Sequence, residues 1–305
     1  RIDMDRYRAF TDQPASSTEH PIVVIGAGLA GATAARLLAD HGFDVVVLDK
    51  GRRVGGRCSR RRLDEVVITH GSARLDSWPT WMTAWSELEE AEQRIHIDDD
   101  GHRLLDGPET VAAWLEGLDV LTSTTVTRLE QDGDVWSVYD DEGHVWQASG
   151  VVVTAPLPQL HRMMADAPEA WAHHPYEPTW TVVLAHTEAA PNELAEALNG
   201  RGMLTQSAEN GRGLVVHLPH DWSKEHLEME RTDVLQTFLE TVSDLDGVQV
   251  SWLTSASGQA HRWRYGRSVA LGASANLPRL VEAGDAWAEP AGTGGAALRS
   301  GAWAA

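Results

Sequence analysis

The sequence predicts an α/β fold in which a buried parallel sheet is built from separated stretches of chain and a mixed-sheet α+β domain is inserted between them. Three observations carry this. Pro21–Arg62 reads as strand, glycine-rich turn, helix and strand. A second wholly apolar run, "VVVTA" at 151–155, has no polar alternation, as strands of a sheet covered on both faces require. The tail, 284–305, reads as a turn and then a Gly/Ala-rich helix starting near Thr293.

The elements follow in order. Residues 1–20 are polar, lack an apolar signal-peptide core, and read as an N-terminal arm. Ile22–Ile25 is a short buried strand, and Gly26, Gly28 and Gly31 then form G-x-G-x-x-G. The first glycine permits the tight turn, the second a close backbone approach to a pyrophosphate, and the third close packing of helix on strand. A helix over roughly Ala30–His41 is rich in Ala and Leu, with Gly42 as its C-terminal stop. Its free N–H groups, with those of Leu29 and Ala30, would meet phosphate. "DVVVLD" is the second strand, ending at Asp49, placed for ribose hydroxyls. Residues 107–118 read as a helix, and 120–156 as a meander with turns at "QDGD" and "DDEGH". "PTWTVVLAH", "GLVVHLP" and "VQVSWLTS" are strand candidates, and "RTDVLQTFLETVSDL" is an amphipathic helix. "SGQAHRWRYGRS", 257–268, reads as a strand placing His261, Trp263 and Tyr265 on one face and Arg262 and Arg264 on the other.

Composition bounds the function. The chain has 305 residues, 42% of them hydrophobic, enough for one large or two ordinary domains with a true core. A formal net charge of −20 argues against nucleic-acid or anionic-membrane partners. No apolar run approaches the ~20 residues of a membrane span. The single Cys58 excludes an internal disulfide, fits a reducing, cytoplasmic compartment, and is too little for a thiolate metal centre, so no metal is expected. The basic run "KGRRVGGRCSRRR" lies where a phosphate-rich cofactor belongs.

Which dinucleotide binds is decided after Asp49. "KGRRVGGR", ending Gly55-Gly56-Arg57, resembles the extended fingerprint of the FAD-dependent amine oxidase superfamily, and the resemblance continues to the tail. It implies a glutathione-reductase-like FAD-binding Rossmann domain with noncovalent FAD. It also implies that Lys50, Gly55, Gly56 and Arg57 lie along the cofactor, that Val126 offers backbone groups to the adenine, that Gly284-Asp285 meets the ribityl or pyrophosphate part, and that the helix N-terminus with Gly295 and Ala296 lies under the flavin pyrimidine ring. There it would stabilise charge developing at N1 and C2=O when N5 takes a hydride. The implied division is residues 21–76, 100–160 and 258–305 for FAD, with 77–99 and 161–257 forming the substrate-binding domain.

His261 to Tyr265, "HRWRY", and Trp180 in "PTWTVV" resemble the renalase-like branch, with Thr179 in place of a cysteine. That branch implies oxidation of 2- and 6-dihydro isomers of NAD(P), with O2 returning hydrogen peroxide. Trp180, His261, Trp263 and Tyr265 are then the expected substrate chamber, with an Arg for a carboxamide, carboxylate or phosphate; the alternative for Trp263 and Tyr265 is ordinary core packing. Such a substrate needs stacking and an aimed C–H rather than a strong base. Classical amine oxidases use a lysine near flavin N5, and here the only lysines are Lys50 and Lys224. Near residue 69 the superfamily pattern is altered to "THGSARLDSW", which makes His70 and Arg74 candidate substrate ligands, with a structural histidine as the alternative. Two further readings stand beside the renalase-like one: a flavin amine oxidase or desaturase of secondary metabolism, and a non-catalytic flavin-binding regulator. Oligomeric state has no signature in the sequence.

Overall fold

Ile22–Ile25 form strand β1, and every one of its side chains is buried. Alternate residues enter different clusters: Ile22 and Val24 join one with Ala30, Ala34 and Val47, while Val23 and Ile25 join another with Leu48, Val151 and Val153. A strand apolar on both faces forms when both faces are covered. The computed structural model describes residues 19–71, 95–97, 103–105, 107–208, 211–243, 250–288 and 294–305. These fall into two units.

Unit one comprises the described residues of 1–58, 72–175 and 268–305. Its main sheet is parallel, in the order β16 (Leu280–Glu282), β11 (Gly150–Val153), β1, β2 (Val45–Leu48), β7 (Asp119–Leu121). Helices α1 (Leu29–Asp40), α2 (Gly107–Trp114) and α9 (Gly294–Ala304) supply apolar residues to one face. The antiparallel meander β8 (Val126–Asp132), β9 (Val135–Asp140), β10 (Val145–Ala148) and helix α3 (Leu157–Met163) supply the other. A short helix, α4 (Glu169–Ala172), places Trp171 beside Trp287 in that second cluster. A hairpin of β5 (Ile95–Ile97) and β6 (Arg103–Leu105) also belongs to this unit. The α/β class and its parallel sheet are as the sequence predicts, and α1 stops at His41 with Gly42 left-handed at φ +86.

Unit two comprises residues 59–71 and 176–267. Its sheet runs β13 (Leu204–Ser207), β14 (Gly213–His217), β12 (Tyr176–Ala185), β15 (Ser257–Ser268). One face packs Trp180, Val182, Leu184, Leu214 and Val216 against helices α5 (Asn192–Asn199), α7 (Arg231–Ser243) and α8 (Val250–Ser255). The other packs Val183, Ala185 and Val215 against Leu63, Val66 and Ile68 of the hairpin β3 (Arg60–Leu63) and β4 (Val66–Thr69). Helix α6 (His220–Glu225) follows β14.

Four expectations change. Residues 161–175, expected in the substrate-binding domain, belong to unit one, where Met164 and Trp171 pack with Val151 and Val153. Residues 59–71 and 258–267 belong to unit two, because the β3–β4 hairpin buries its apolar residues on the β12–β14 sheet and β15 is hydrogen-bonded beside β12. Of the stretch 77–99, only 95–97 is described; it lies in unit one, paired with β6. "VQVSWLTS" is not a strand: its described part, 250–255, is helical, with Trp252 and Leu253 both in the core and the Trp252 indole donating to the Glu188 carbonyl at 3.2 Å. Burial of adjacent residues fits a helical arc and not strand alternation.

Candidate functional site

Two constellations carry the chemistry, one in each unit. In unit one the site begins where β1 ends. Helix α1 has Gly28 as its N-cap, with no side chain closing the helix end. The first N–H groups of any helix lack intrahelical acceptors, so this end is open to an anion. The third fingerprint glycine has a steric cause: a Cβ on Gly31 would stand 1.8 Å from the Gly26 carbonyl oxygen. "GGR" folds back onto the same turn, its Gly55 N–H donating to the Ala27 carbonyl at 2.8 Å. Gly56 sits at φ +53, and a Cβ there would be 3.1 Å from Gly28 Cα. Two bare backbones thus line the opening, where side chains would fill it.

Asp49 closes the next side. Its carboxylate accepts the Ala27 N–H and the Gly51 N–H, both at 2.6 Å. Each oxygen keeps a further lone pair, so a ribose hydroxyl can still donate to it. Lys50 reaches Gln159 at 3.1 Å. Val126 opens β8, buried, beside a register shift in the β8–β9 pair.

Arg57 and Asp285 are 228 positions apart, and they meet in a two-pronged ion pair at 2.8 and 2.7 Å. Asp285 also accepts the Ser268 N–H at 2.8 Å. Burial raises the affinity of the Asp285 carboxyl for its proton, but the Arg57 charge and these hydrogen bonds outweigh it and hold the group below the usual carboxylate range. The preceding Gly284 exchanges hydrogen bonds with Ser300 of α9, the hydroxyl accepting its N–H and donating to its carbonyl, each at 2.8 Å. Gly295 and Ala296 lie in the first turn of α9. Cys58 is buried in the unit-one core, as a packed residue.

In unit two, strand alternation along β15 turns His261 and Trp263 to one face, where they meet His70 just beyond β4. The His261 and Trp263 ring centroids are 4.3 Å apart, His70 and His261 4.9 Å, and His70 and Trp263 5.3 Å with planes within 28°. Arg61 of β3 donates to His261 Nδ1 at 3.2 Å and to Gln259 Oε1 at 3.0 Å. Arginine only donates, so His261 Nδ1 is the acceptor and its hydrogen resides on Nε2. Burial, then His70, Arg61 and Arg231, push His261 down to about 3. Burial and Arg61 push His70 down to about 4, against the pull of the Ser59 carbonyl. Burial and His220 push His217 to about 4. The imidazoles are therefore neutral at physiological pH. Two polar atoms here are buried with no hydrogen-bond partner, His70 Nδ1 and Trp263 Nε1.

The other expected chamber residues lie elsewhere. Trp180 is fully buried in the helix-covered core of unit two, its indole N–H already given to the His226 carbonyl at 3.0 Å. It holds the fold and does not join the ring cluster. Tyr265 meets Tyr176 edge-on at 5.3 Å. Arg262 and Arg264, on the opposite face, both bind Glu228, so neither is the arginine of the cluster. That arginine is Arg61, which sequence reading missed. The signal available was the "RRRLDEVVITH" hairpin, with Asp64 left-handed at its turn (φ +51), which carries Arg61 and His70 together. Arg74 lies outside the described residues. No helix among the described residues is long and apolar enough to cross a membrane, and no metal-ligating cluster occurs among them.

A glycine-lined helix end behind a buried parallel strand, with an acidic residue closing the next strand, defines a dinucleotide-binding α/β protein. Residues 24–88 match an NAD(P)-binding Rossmann-like domain, and residues 97–305, over half the chain, match the flavin containing amine oxidoreductase family. The chain belongs to that family; it is a flavoprotein of the oxidoreductase class, and its cofactor is FAD. It is similar to a phytoene desaturase of Cercospora nicotianae, 26% identical over 55% of this chain and 28% of that protein. A pseudooxynicotine dehydrogenase of a Pseudomonas species is 30% identical over 42% of this chain and 24% of that protein. These matches therefore span about a quarter of the relatives' length. Among solved structures, a putrescine oxidase with redesigned cofactor binding superposes with a TM-score of 0.63 over 93% of this chain and 97% of its own, at 14% identity, which speaks for the fold.

Proposed function

We propose that this chain oxidises a small, electron-rich nitrogenous substrate in the manner of the renalase-like branch, with 2- and 6-dihydronicotinamide dinucleotides as the substrate class. The open α1 terminus, Asp49, the Gly28–Gly56 pair and the Arg57–Asp285 pair are the residues that would hold FAD. Bound FAD supplies a two-electron acceptor for the substrate's hydride and passes the electrons to dioxygen, which with two protons becomes hydrogen peroxide.

One observation carries the reading: the ring cluster holds two imidazoles pushed far below neutrality, with a third such imidazole, His217, acting on His70, and, among the described residues, no lysine. A group titrating at about 3 or 4 is a poor proton acceptor at neutral pH. Oxidising an alkylamine requires removal of its ammonium proton. A dihydropyridine has no such proton: as its C–H bond gives up hydride, the ring nitrogen's lone pair completes an aromatic pyridinium. His261, Trp263 and His70 provide flat faces to stack such a ring and keep water from it.

The second reading, an amine oxidase or desaturase, is favoured by the names of the relatives, a phytoene desaturase and a pseudooxynicotine dehydrogenase. The separating experiment is the visible spectrum of the FAD-loaded protein, kept anaerobic, before and after 6-dihydro-NAD. Rapid bleaching, with recovery and peroxide on admission of air, is expected. Bleaching by amines alone moves the assignment to the second reading. Bound flavin that no donor reduces overturns both.

A further inference from the structure

We propose that the buried indole N–H of Trp263 and the Nε2–H of His261 form a donor pair that binds a carbonyl oxygen of the substrate, from a carboxamide or carboxylate, and discriminates against ammonium groups. This rests on the function proposed above and names the group by which its substrate is chosen.

The argument starts from the orphaned atoms. Trp263 Nε1 is buried without a partner, and an indole nitrogen can only donate. Buried donors in native proteins are nearly always paired, so this one calls for an acceptor supplied from outside. His261 contributes a second donor. Arg61 occupies its Nδ1 and so fixes the hydrogen on Nε2, and the two rings are 4.3 Å apart. The other orphan, His70 Nδ1, belongs to a neutral imidazole 5.3 Å from the Trp263 ring. The ring's one hydrogen faces the Ser59 carbonyl, so Nδ1 is left as an acceptor and matches the NH2 of a carboxamide.

The surrounding charge points the same way. Among the described residues, the side chains acting on His70, His217 and His261 are Arg61, Arg231, His220 and one another, with the Ser59 carbonyl on His70; none is a carboxylate. An ammonium placed here would face positive charge and donor hydrogens with no carboxylate partner among the described residues, whereas a carbonyl oxygen meets donors and positive potential.

The test uses the full FAD-loaded chain with 15N-labelled tryptophan, titrated with nicotinamide, nicotinate and benzylamine. The Trp263 indole resonance is identified as the one missing from Trp263→Phe. Nicotinamide or nicotinate should move it downfield, and whichever does so identifies carboxamide or carboxylate. Trp263→Phe should weaken that probe at least about tenfold, the cost of one well-made hydrogen bond. If this variant fails to fold, the signal followed is the indole resonance that a carbonyl probe moves downfield in the native chain, and His261→Phe should weaken that shift. The proposal is overturned if neither carbonyl probe moves the resonance, if benzylamine binds as tightly, or if the variants bind equally well. Amines that bleach the flavin while no carbonyl probe binds sink the donor pair and leave an oxidoreductase. Carbonyl probes that bind while no donor bleaches the flavin sink the proposed function instead.

Discussion

Acidification should destabilise this protein through a histidine that cannot accept a proton while folded. His70 is 4% exposed, and burial with the nearby Arg61 holds it at about 4. In the unfolded chain it titrates near 6.5. Between those values the unfolded state binds the proton and the folded state refuses it, so stability falls as pH falls and is fully present above about 6.5. From neutral pH to about pH 4.5 the difference spans roughly two pH units, or about 2.5 kcal/mol at ~1.36 kcal/mol per unit. His217 and His261 are also pushed down and act in the same direction. The Asp285 carboxyl, held low by Arg57, loses its contribution only below the ordinary carboxylate range, outside this window. The assay is urea unfolding at both pH values for the wild type and for His70→Gln. The acid-induced loss should be smaller in the variant by about 2.5 kcal/mol, whatever the variant's stability at neutral pH. Equal losses in the two proteins would refute the reasoning, because His70 would then titrate alike folded and unfolded.

Other outcomes follow from the packing. Gly31→Ala drives a methyl to within 1.8 Å of the Gly26 carbonyl, so α1 must withdraw; the purified protein should lose its flavin absorbance and about 2–3 kcal/mol of stability, read by spectrum and thermal melt. Asp49→Ala strips the partner from the Ala27 and Gly51 amides and should weaken FAD retention roughly tenfold or more, measured by equilibrium dialysis; unchanged flavin content would count against the cofactor assignment. Trp180→Phe removes the bond to the His226 carbonyl and should cost about 1–2 kcal/mol in the melt while leaving kcat/KM for a good electron donor intact.

Local rules made much of unit one legible. Two apolar runs, three glycines and Asp49 specify β1, α1 and β2, because each requirement there is met by a neighbour in sequence. Alternation along 257–268 likewise separates His261 and Trp263 from Arg262 and Arg264. What the sequence does not carry is who waits on each face. Glu228 for the two arginines, and Arg61 for His261, arrive from distant segments. The Arg57–Asp285 pair shows the same limit: each residue was expected at the cofactor, and nothing in the sequence between them, 228 positions apart, signals that they bind one another. Trp180 was misjudged because an indole at a strand position reads alike whether it lines a chamber or fills a core; only its partner, the His226 carbonyl, decides. At 250–255, valine and tryptophan favour a strand, and packing of two adjacent residues into one core overrides that preference.

The order in which the parallel sheet acquires its strands has a consequence during synthesis. β1 and β2 leave the ribosome early, β11 only after the meander, and the edge strand β16 near the end, after all of unit two. Until then β11 presents an unpaired, wholly apolar edge, the kind of surface that invites other chains. A nascent chain stalled before Leu280 is thus an aggregation hazard by construction. The segments of the two units alternate along the chain, so no single cut yields either unit free of the other.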